Sequence, residues 1–296
     1  MRFPNMNSSS GWRRAVDETD VVRTHLCGSP MWTSAADIAP WRNSTGAARM
    51  AFKVQVGPAQ ITIHEGQTVL VTEPDGQVSS PGVRGLYFRD TRVISGWSIY
   101  ANGEAWDLLN GGAVAHHVAR IFLTNAAITT ENGPIAARTV GLVIRRRIDG
   151  GVHEDIDVTN NNLTPVRFNL EIAIRADFAD IFEVKSNHIV RRGRITTSWS
   201  LSRQTLRLTY RNKDFCREVI VHIGASDNEP TVNANGRLSF DIALKAGQSC
   251  HRCLKYDLRD GAQRIRAPRG CAHASATSSH TRKMEEWRRK VLKIDS

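Results

Sequence analysis

PVRFNLEIAI, residues 165–174, decides the fold class. Val166, Phe168, Leu170, Ile172 and Ile174 occupy every second position, with Arg167, Asn169 and Glu171 among the residues between them. Period two puts the five apolar side chains on one face of an extended strand. Outward from this run lie others of the same β-branched character: FKVQV (52–56), TVLVT (68–72), RVISGWSIY (92–100) and TVGLVIRRRI (139–148). Between them stand Asp75-Gly76, Asn102-Gly103, Asp149-Gly150-Gly151, Arg192-Gly193 and Asn235-Gly236, residues that tolerate the positive φ of tight hairpins. The pairs at 102–103 and 235–236 are the strongest of these signals. A dozen or more strands with hairpin links predict an all-β chain built as a large antiparallel β-sandwich.

The remaining composition sets bounds. A chain of 296 residues with 41% hydrophobic content can bury a sizeable core. No run of about 18 apolar residues exists to span a membrane, and MRFPNMNSSSGWRR carries no apolar segment behind its basic start, so no membrane or secretory route is expected. Cys27, Cys216, Cys250, Cys253 and Cys271 form an odd, sparse set that suits reduced thiols in a cytoplasm better than a disulfide framework.

Three regions follow. Residues 1–50 show no sustained period and are expected as a poorly ordered extension in which Trp12, Trp32 and Trp41 are scattered. Residues 51–258 are the expected sandwich. Residues 259–296 read as a linker and a short basic helix over about 281–293, with Met284, Trp287 and Val291 at helical spacing. Of the net charge of +11, a share of +6 sits in this last stretch. A basic tail can hold an anionic polymer, but a solvated helix face is the expectation, and a nucleic-acid partner is not expected.

Several motifs invite chemistry. Cys250-His251-Arg252-Cys253, with Cys271 and His273 downstream, could be drawn as a zinc knuckle. Period two sends Cys250 and Cys253 to opposite faces of a strand, so buried or half-buried thiols are expected and no metal or cofactor. His116-His117 is expected at ordinary strand positions for the same reason. In Arg145-Arg146-Arg147 the middle residue should face away from its neighbours, at an edge or solvent face. No phosphate-binding glycine loop and no nucleophile elbow occurs. Asp177, Asp180 and Glu183 in RADFADIFEV (175–184) are spaced by three. Paired carboxylates can serve glycoside hydrolysis, yet the segment follows a strand and is interleaved with Phe178, Ile181 and Phe182. Ion pairing with Arg175, Arg191, Arg192 or Arg194 is the favoured reading.

GLYFRDTRVISGWSIYANGE (85–104) resembles the G-L-F-x-x-D-T-R-x-L-S stretch of bacterial amylo-α-1,6-glucosidases, the glycogen debranching enzymes, and RADFADIFEVKSNHIVRRGRI (175–195) resembles their D-F-A-D-L-F-E-V stretch. The resemblance covers about residues 52–258. It implies an N-terminal β-sandwich of the supersandwich type, ahead of an (α/α)6 barrel that carries the catalytic carboxylates and would begin where this sequence ends. No catalytic residue is carried over. Asp90, Thr91, Arg92, Asp177, Asp180 and Glu183 are carried over as motif residues with structural or interface roles. The resemblance thus implies a non-catalytic domain in glycogen or α-glucan metabolism, with a catalytic domain on another chain as partner. Two other readings stay open. One is a free-standing carbohydrate-binding module with Trp97, Trp106 or Trp199 as sugar platforms. The other is anionic-polymer binding by the tail. Self-association through the apolar side of the C-terminal helix is expected if a barrel does not cover it.

Overall fold

The computed structural model describes residues 59–79, 82–131, 133–224, 229–233, 235–271 and 279–291. The proposed 1–50 extension, its three tryptophans, Cys27, His273 and the 52–56 run lie outside them. The described chain is a large antiparallel β-sandwich with two short helices.

One sheet has five strands: β1 (Ile61–Glu65), β2 (Thr68–Thr72), β3 (Gly85–Phe88), β4 (Thr91–Ile94) and, paired to β4, the short β11 (Ala179–Asp180). The other holds β5 (Gly96–Ala101), β6 (Glu104–Ala115), β7 (Val118–Asn125), β8 (Val140–Asp149), β9 (Gly151–Asn160), β10 (Val166–Arg175), β12 (Arg194–Ser200), β13 (Thr205–Asn212), β14 (Phe215–Ile223), β15 (Thr231–Asn233), β16 (Arg237–Leu244), β17 (Ser249–Asp260) and β18 (Gln263–Ile265). Its order runs β12-β13-β14-β17-β9-β8-β7-β6-β5-β10-β16-β15, with β18 beside β17. Helix α1 spans Ile181–Ser186 and α2 spans Ser279–Lys290.

The deciding run behaves as its period requires. β10 buries Val166, Phe168, Leu170, Ile172 and Ile174 and turns Arg167 and Asn169 outward. Burying each apolar side chain stabilises by about 1.5–3 kcal/mol. β10 lies between β5 and β16, so it has no free edge. The main core joins both sheets: Ile63, Leu70, Leu86 and Ile94 from the first belong to one cluster with Trp97, Ile144, Ile172 and Tyr256 from the second.

The turns divide. Asn102 and Gly103, at φ 48 and 83, close the β5–β6 hairpin with both residues left-handed. Gly150 closes β8–β9 and Gly236 closes β15–β16. Arg192-Gly193 makes no hairpin. Gly193 lies against β13, where a Cβ would sit 2.5 Å from the Arg211 carbonyl, so glycine is there for close approach. RVISGWSIY is two strands in two sheets, β4 and β5, with the chain crossing between sheets at Ser95. His116-His117 is not in a strand. It forms the β6–β7 turn, with the two ring centroids 4.6 Å apart.

Candidate functional site

The two segments 85–104 and 175–195 are partners of each other. Thr91 and Arg92 on β4 pair with Asp180 and Ala179 on β11, and the Ile181 amide donates to the Asp90 carbonyl at 2.8 Å. Arg92, buried, donates through Nη2 and Nε to the two oxygens of Asp177 at 2.5 and 3.3 Å, a fork-on-fork pair. Its Nη1 donates to the Gly82 carbonyl at 2.6 Å. Gly85 leaves the space that this guanidinium arm crosses: a Cβ there would stand 2.6 Å from Arg92 Cδ.

The acids then shape the chain. Phe178, buried and left-handed at φ 51, stacks on Tyr210 at 5.7 Å between ring centroids. Asp180 caps α1, accepting from the Phe182 amide at 2.8 Å, while the Glu183 carboxylate accepts from the Asp180 amide at 3.2 Å. This is a capping box. Glu183 also pairs with Arg192, one of the favoured partners, whereas Asp177 takes Arg92, which was not among them. The sequence reading missed α1. Its signal was the Asp180…Glu183 spacing, which marks a helix start. Around these residues lies an open cleft of about 240 Å³, walled by Asp90, Thr91, Asp177, Asp180, Glu183, Tyr210 and Phe215. Beside it Phe182 is 75% exposed, and Ile189 and Val190 are exposed too.

The sugar-platform reading is corrected by burial for Trp97 and Trp106. Trp97 is wholly enclosed and Trp106 is buried edge-on to Phe168, while Trp199 is half-buried against the core. The Arg146 expectation is corrected as well. Alternation along β8 holds, but the face that Arg146 occupies is the core. Its guanidinium lies 4.1 Å over the Trp97 ring, and its Nε donates to Glu154 at 2.8 Å. Tyr256, buried with them, donates its hydroxyl to the other Glu154 oxygen at 2.7 Å. Burial and Glu154 together raise the Tyr256 phenol well above its ordinary value.

The opposite face of β9 carries a second polar group. His153 and Asp155 flank Glu154 in sequence and so point the other way. Cys253 on β17 stands opposite Asp155. The chain after β18 crosses this face as a strap and brings Cys271 to the same spot. Asp257 fastens the strap by accepting from the Ala267 amide at 2.8 Å and from Arg264 at 2.6 Å. Cys250 lies on the inner side, packed on the core, so the C-x-x-C pair is indeed divided between faces. Burial and the neighbouring Cys271 push the Cys253 thiol up to about 12. Burial and Asp155 raise Cys271.

In the C-terminal stretch Arg259 and Arg264 pair with Glu218 and Asp257. In α2 Met284 is half-buried, and Trp287 and, just past the helix end, Val291 are exposed. Among the described residues no helix is long and apolar enough to cross a membrane.

A family model described as the N-terminal domain of (some) glycogen debranching enzymes matches residues 63–255, about two thirds of the chain. No curated protein matches the sequence. Among solved structures, a putative kojibiose phosphorylase from the human microbiome superposes with TM-score 0.47 at 10% identity, over 68% of this chain and 30% of that one. A galactose mutarotase-like protein from Clostridium acetobutylicum superposes with TM-score 0.33 at 7% identity, over 67% of this chain and 94% of that one. This chain therefore spans under a third of the phosphorylase.

Proposed function

The chain belongs to the family of N-terminal domains of glycogen debranching enzymes, and from that premise we propose that it serves α-glucan metabolism as a supporting β-domain rather than as a hydrolase. The observation that carries this reading is the state of the motif acids. Hydrolysis needs two carboxyl groups free to act on either side of a glycosidic bond. Asp177 is gripped by Arg92, and Asp180 and Glu183 are tied up in the α1 cap, with Glu183 also held by Arg192. They build the cleft wall instead of reacting in it. The exposed Phe182, Ile189 and Val190 beside that wall form an apolar face suited to packing on an (α/α)6 catalytic domain in the cytoplasm. The carbohydrate-module alternative loses support with the burial of Trp97 and Trp106.

The test has two arms. Purified chain is assayed for glucose release from limit dextrin, and none above buffer is expected. It is then mixed with a separately purified barrel domain of a debranching-type glucosidase and sedimented. A one-to-one complex that is lost in Phe182→Ser is expected. Glucose release by the chain alone, abolished in Asp180→Asn, would overturn the non-catalytic reading. A complex indifferent to Phe182→Ser would overturn the choice of face.

A further inference from the structure

Of the polar clusters outside the cleft, the group on the outer face of β9 and β17 gathers four side chains of metal-ligating type at one place. Four side chains contribute one donor atom each: His153 Nε2, an Asp155 carboxylate oxygen, and Cys253 and Cys271 Sγ, all within 4.8 Å of one another. His153 Nε2 is 3.1 Å from Asp155 Oδ1 and 3.1 Å from Cys253 Sγ. Its other nitrogen, Nδ1, is 2.7 Å from the carbonyl oxygen of Pro268. A carbonyl only accepts, so Nδ1 carries the hydrogen. With Nδ1 held this way, Nε2 is the ring atom directed at Asp155 Oδ1 and Cys253 Sγ, and His251 Nε2 stands 3.4 Å from the same carboxylate oxygen. Four ligand-type atoms gathered this closely, with the second histidine nitrogen fixed by a backbone carbonyl, are the features of a metal-binding imidazole.

We propose that His153, Asp155, Cys253 and Cys271 form a structural zinc site that pins the strap carrying Pro268 and Cys271 to the sheet. The dimensions suit that ion. Bond lengths of about 2.0 Å to nitrogen or oxygen and about 2.3 Å to sulfur place tetrahedral ligands roughly 3.3–3.8 Å apart. Two thiolates, an imidazole and a carboxylate favour zinc over calcium or magnesium, which prefer all-oxygen sets. In the metal-free chain two thiol protons bridge the cluster, from Cys253 toward His153 and from Cys271 toward Asp155. One Zn2+ replaces these two protons, which leave to solvent, so the exchange is charge for charge. The net negative charge left by two thiolates and a carboxylate around one divalent ion faces Lys255, opposite His153 on the same side of the sheet.

Topology explains how a sheet can build such a cage. His153 and Asp155 share a face at i and i+2, Cys253 is the cross-strand neighbour of Asp155, and Cys271 arrives from above. Cys250, the other half of the C-x-x-C, takes no part. That supplies the discriminating control.

The full chain, reduced and stripped of metal with a chelator, is titrated with zinc against a chromophoric competitor. One zinc per chain is expected, with the thermal midpoint rising as zinc is added. Cys253→Ser and Cys271→Ser should each weaken binding by roughly 100-fold or more, and Cys250→Ser should leave it unchanged. Cobalt(II) in place of zinc should give a thiolate-to-metal charge-transfer band that weakens in each single variant and vanishes in the double. Cys271→Ser lies beyond the last strand, so its loss of zinc can be read in a protein whose circular dichroism is that of the parent. Zinc affinity of the parent no better than that of the double variant would overturn the site. So would equal losses in Cys250→Ser and Cys253→Ser, or a Cys253–Cys271 disulfide in protein kept under reducing conditions.

Discussion

The acids of 177–183 and Asp155 on the outer face of β9 differ in what they point at. Asp177 faces a guanidinium, Asp180 a backbone amide, Glu183 both an amide and a guanidinium. Asp155 faces the nitrogens of His153 and His251, at 3.1 and 3.4 Å, and two thiols. The first arrangement is complete in itself and holds two distant segments together. The second gathers nitrogen, oxygen and sulfur atoms of metal-ligating type in one place. Counting acids in a sequence does not separate the two, because the difference lies in the partners, and the partners come from strands far away in the chain. The inner face of the same β9 supplies a limiting case: Glu154, one residue from Asp155, is fully enclosed with Arg146 and Tyr256 and has both oxygens engaged.

That limiting case should give the largest effect. Arg146→Ala leaves Glu154 in the core without its cation, at an expected cost of about 3–5 kcal/mol in urea unfolding. A cost below about 1 kcal/mol would mean that Glu154 is not held as a carboxylate. Next comes Asp177→Asn, which removes the counter-charge of buried Arg92 and should cost about 2 kcal/mol whether or not zinc is present. Asp155→Asn sharpens the contrast: its deficit should appear as the loss of the zinc-dependent rise in thermal midpoint. If both substitutions respond to zinc alike, the distinction between the clusters fails. Asp180→Ala deletes the α1 cap and should cost about 1 kcal/mol, read from the same unfolding curves.

The smallest effect is confined to acid. Burial acts to raise Asp257, but hydrogen bonds from His222, the Ala267 amide and Arg264 outweigh it and hold the carboxyl below its ordinary value. A lowered folded value contributes stability that is full above the unfolded value and lost as pH falls through the folded one. The strap should therefore stay fastened at neutral pH and loosen below about pH 4. Hydrogen exchange at the Ala267 amide reports this directly. Protection should vanish in acid in the parent chain and already at neutral pH in Asp257→Ala; protection that survives acid in the parent would show that the strap is held elsewhere.

Much of the fold was legible because its signals are local. The alternation of β10, β8 and β2 and the Asn102-Gly103 turn need no knowledge of distant residues. The roles of Asp177 and Arg92 were half legible: both stood in recognisable segments, but their pairing joins positions in different parts of the chain. Arg146 was misplaced because charge argues for solvent and only the opposing Glu154 reverses that argument. His116-His117 was misplaced because a two-residue turn between apolar runs looks like a continuous strand. The cysteine cluster was hidden most deeply. Its members come from β9, β17 and the strap, and the conspicuous C-x-x-C drew attention to a residue, Cys250, that belongs to the core.

The neighbours of β17 have a consequence for how the chain is made. β9 pairs through Thr159 with Ser249 and through Val152 with Tyr256, and these partners are separated by about a third of the chain. At about 5–20 residues per second, a ribosome takes roughly 5–20 s to deliver β17 after β9 has emerged. During that interval β9 is an open edge, ready to pair with the same strand of a neighbouring nascent chain. Glu154, Asp155 and Asp157 lie along that edge. Charged side chains along an exposed edge oppose its pairing with a second copy, so residues that finish the fold also guard it while it is unfinished.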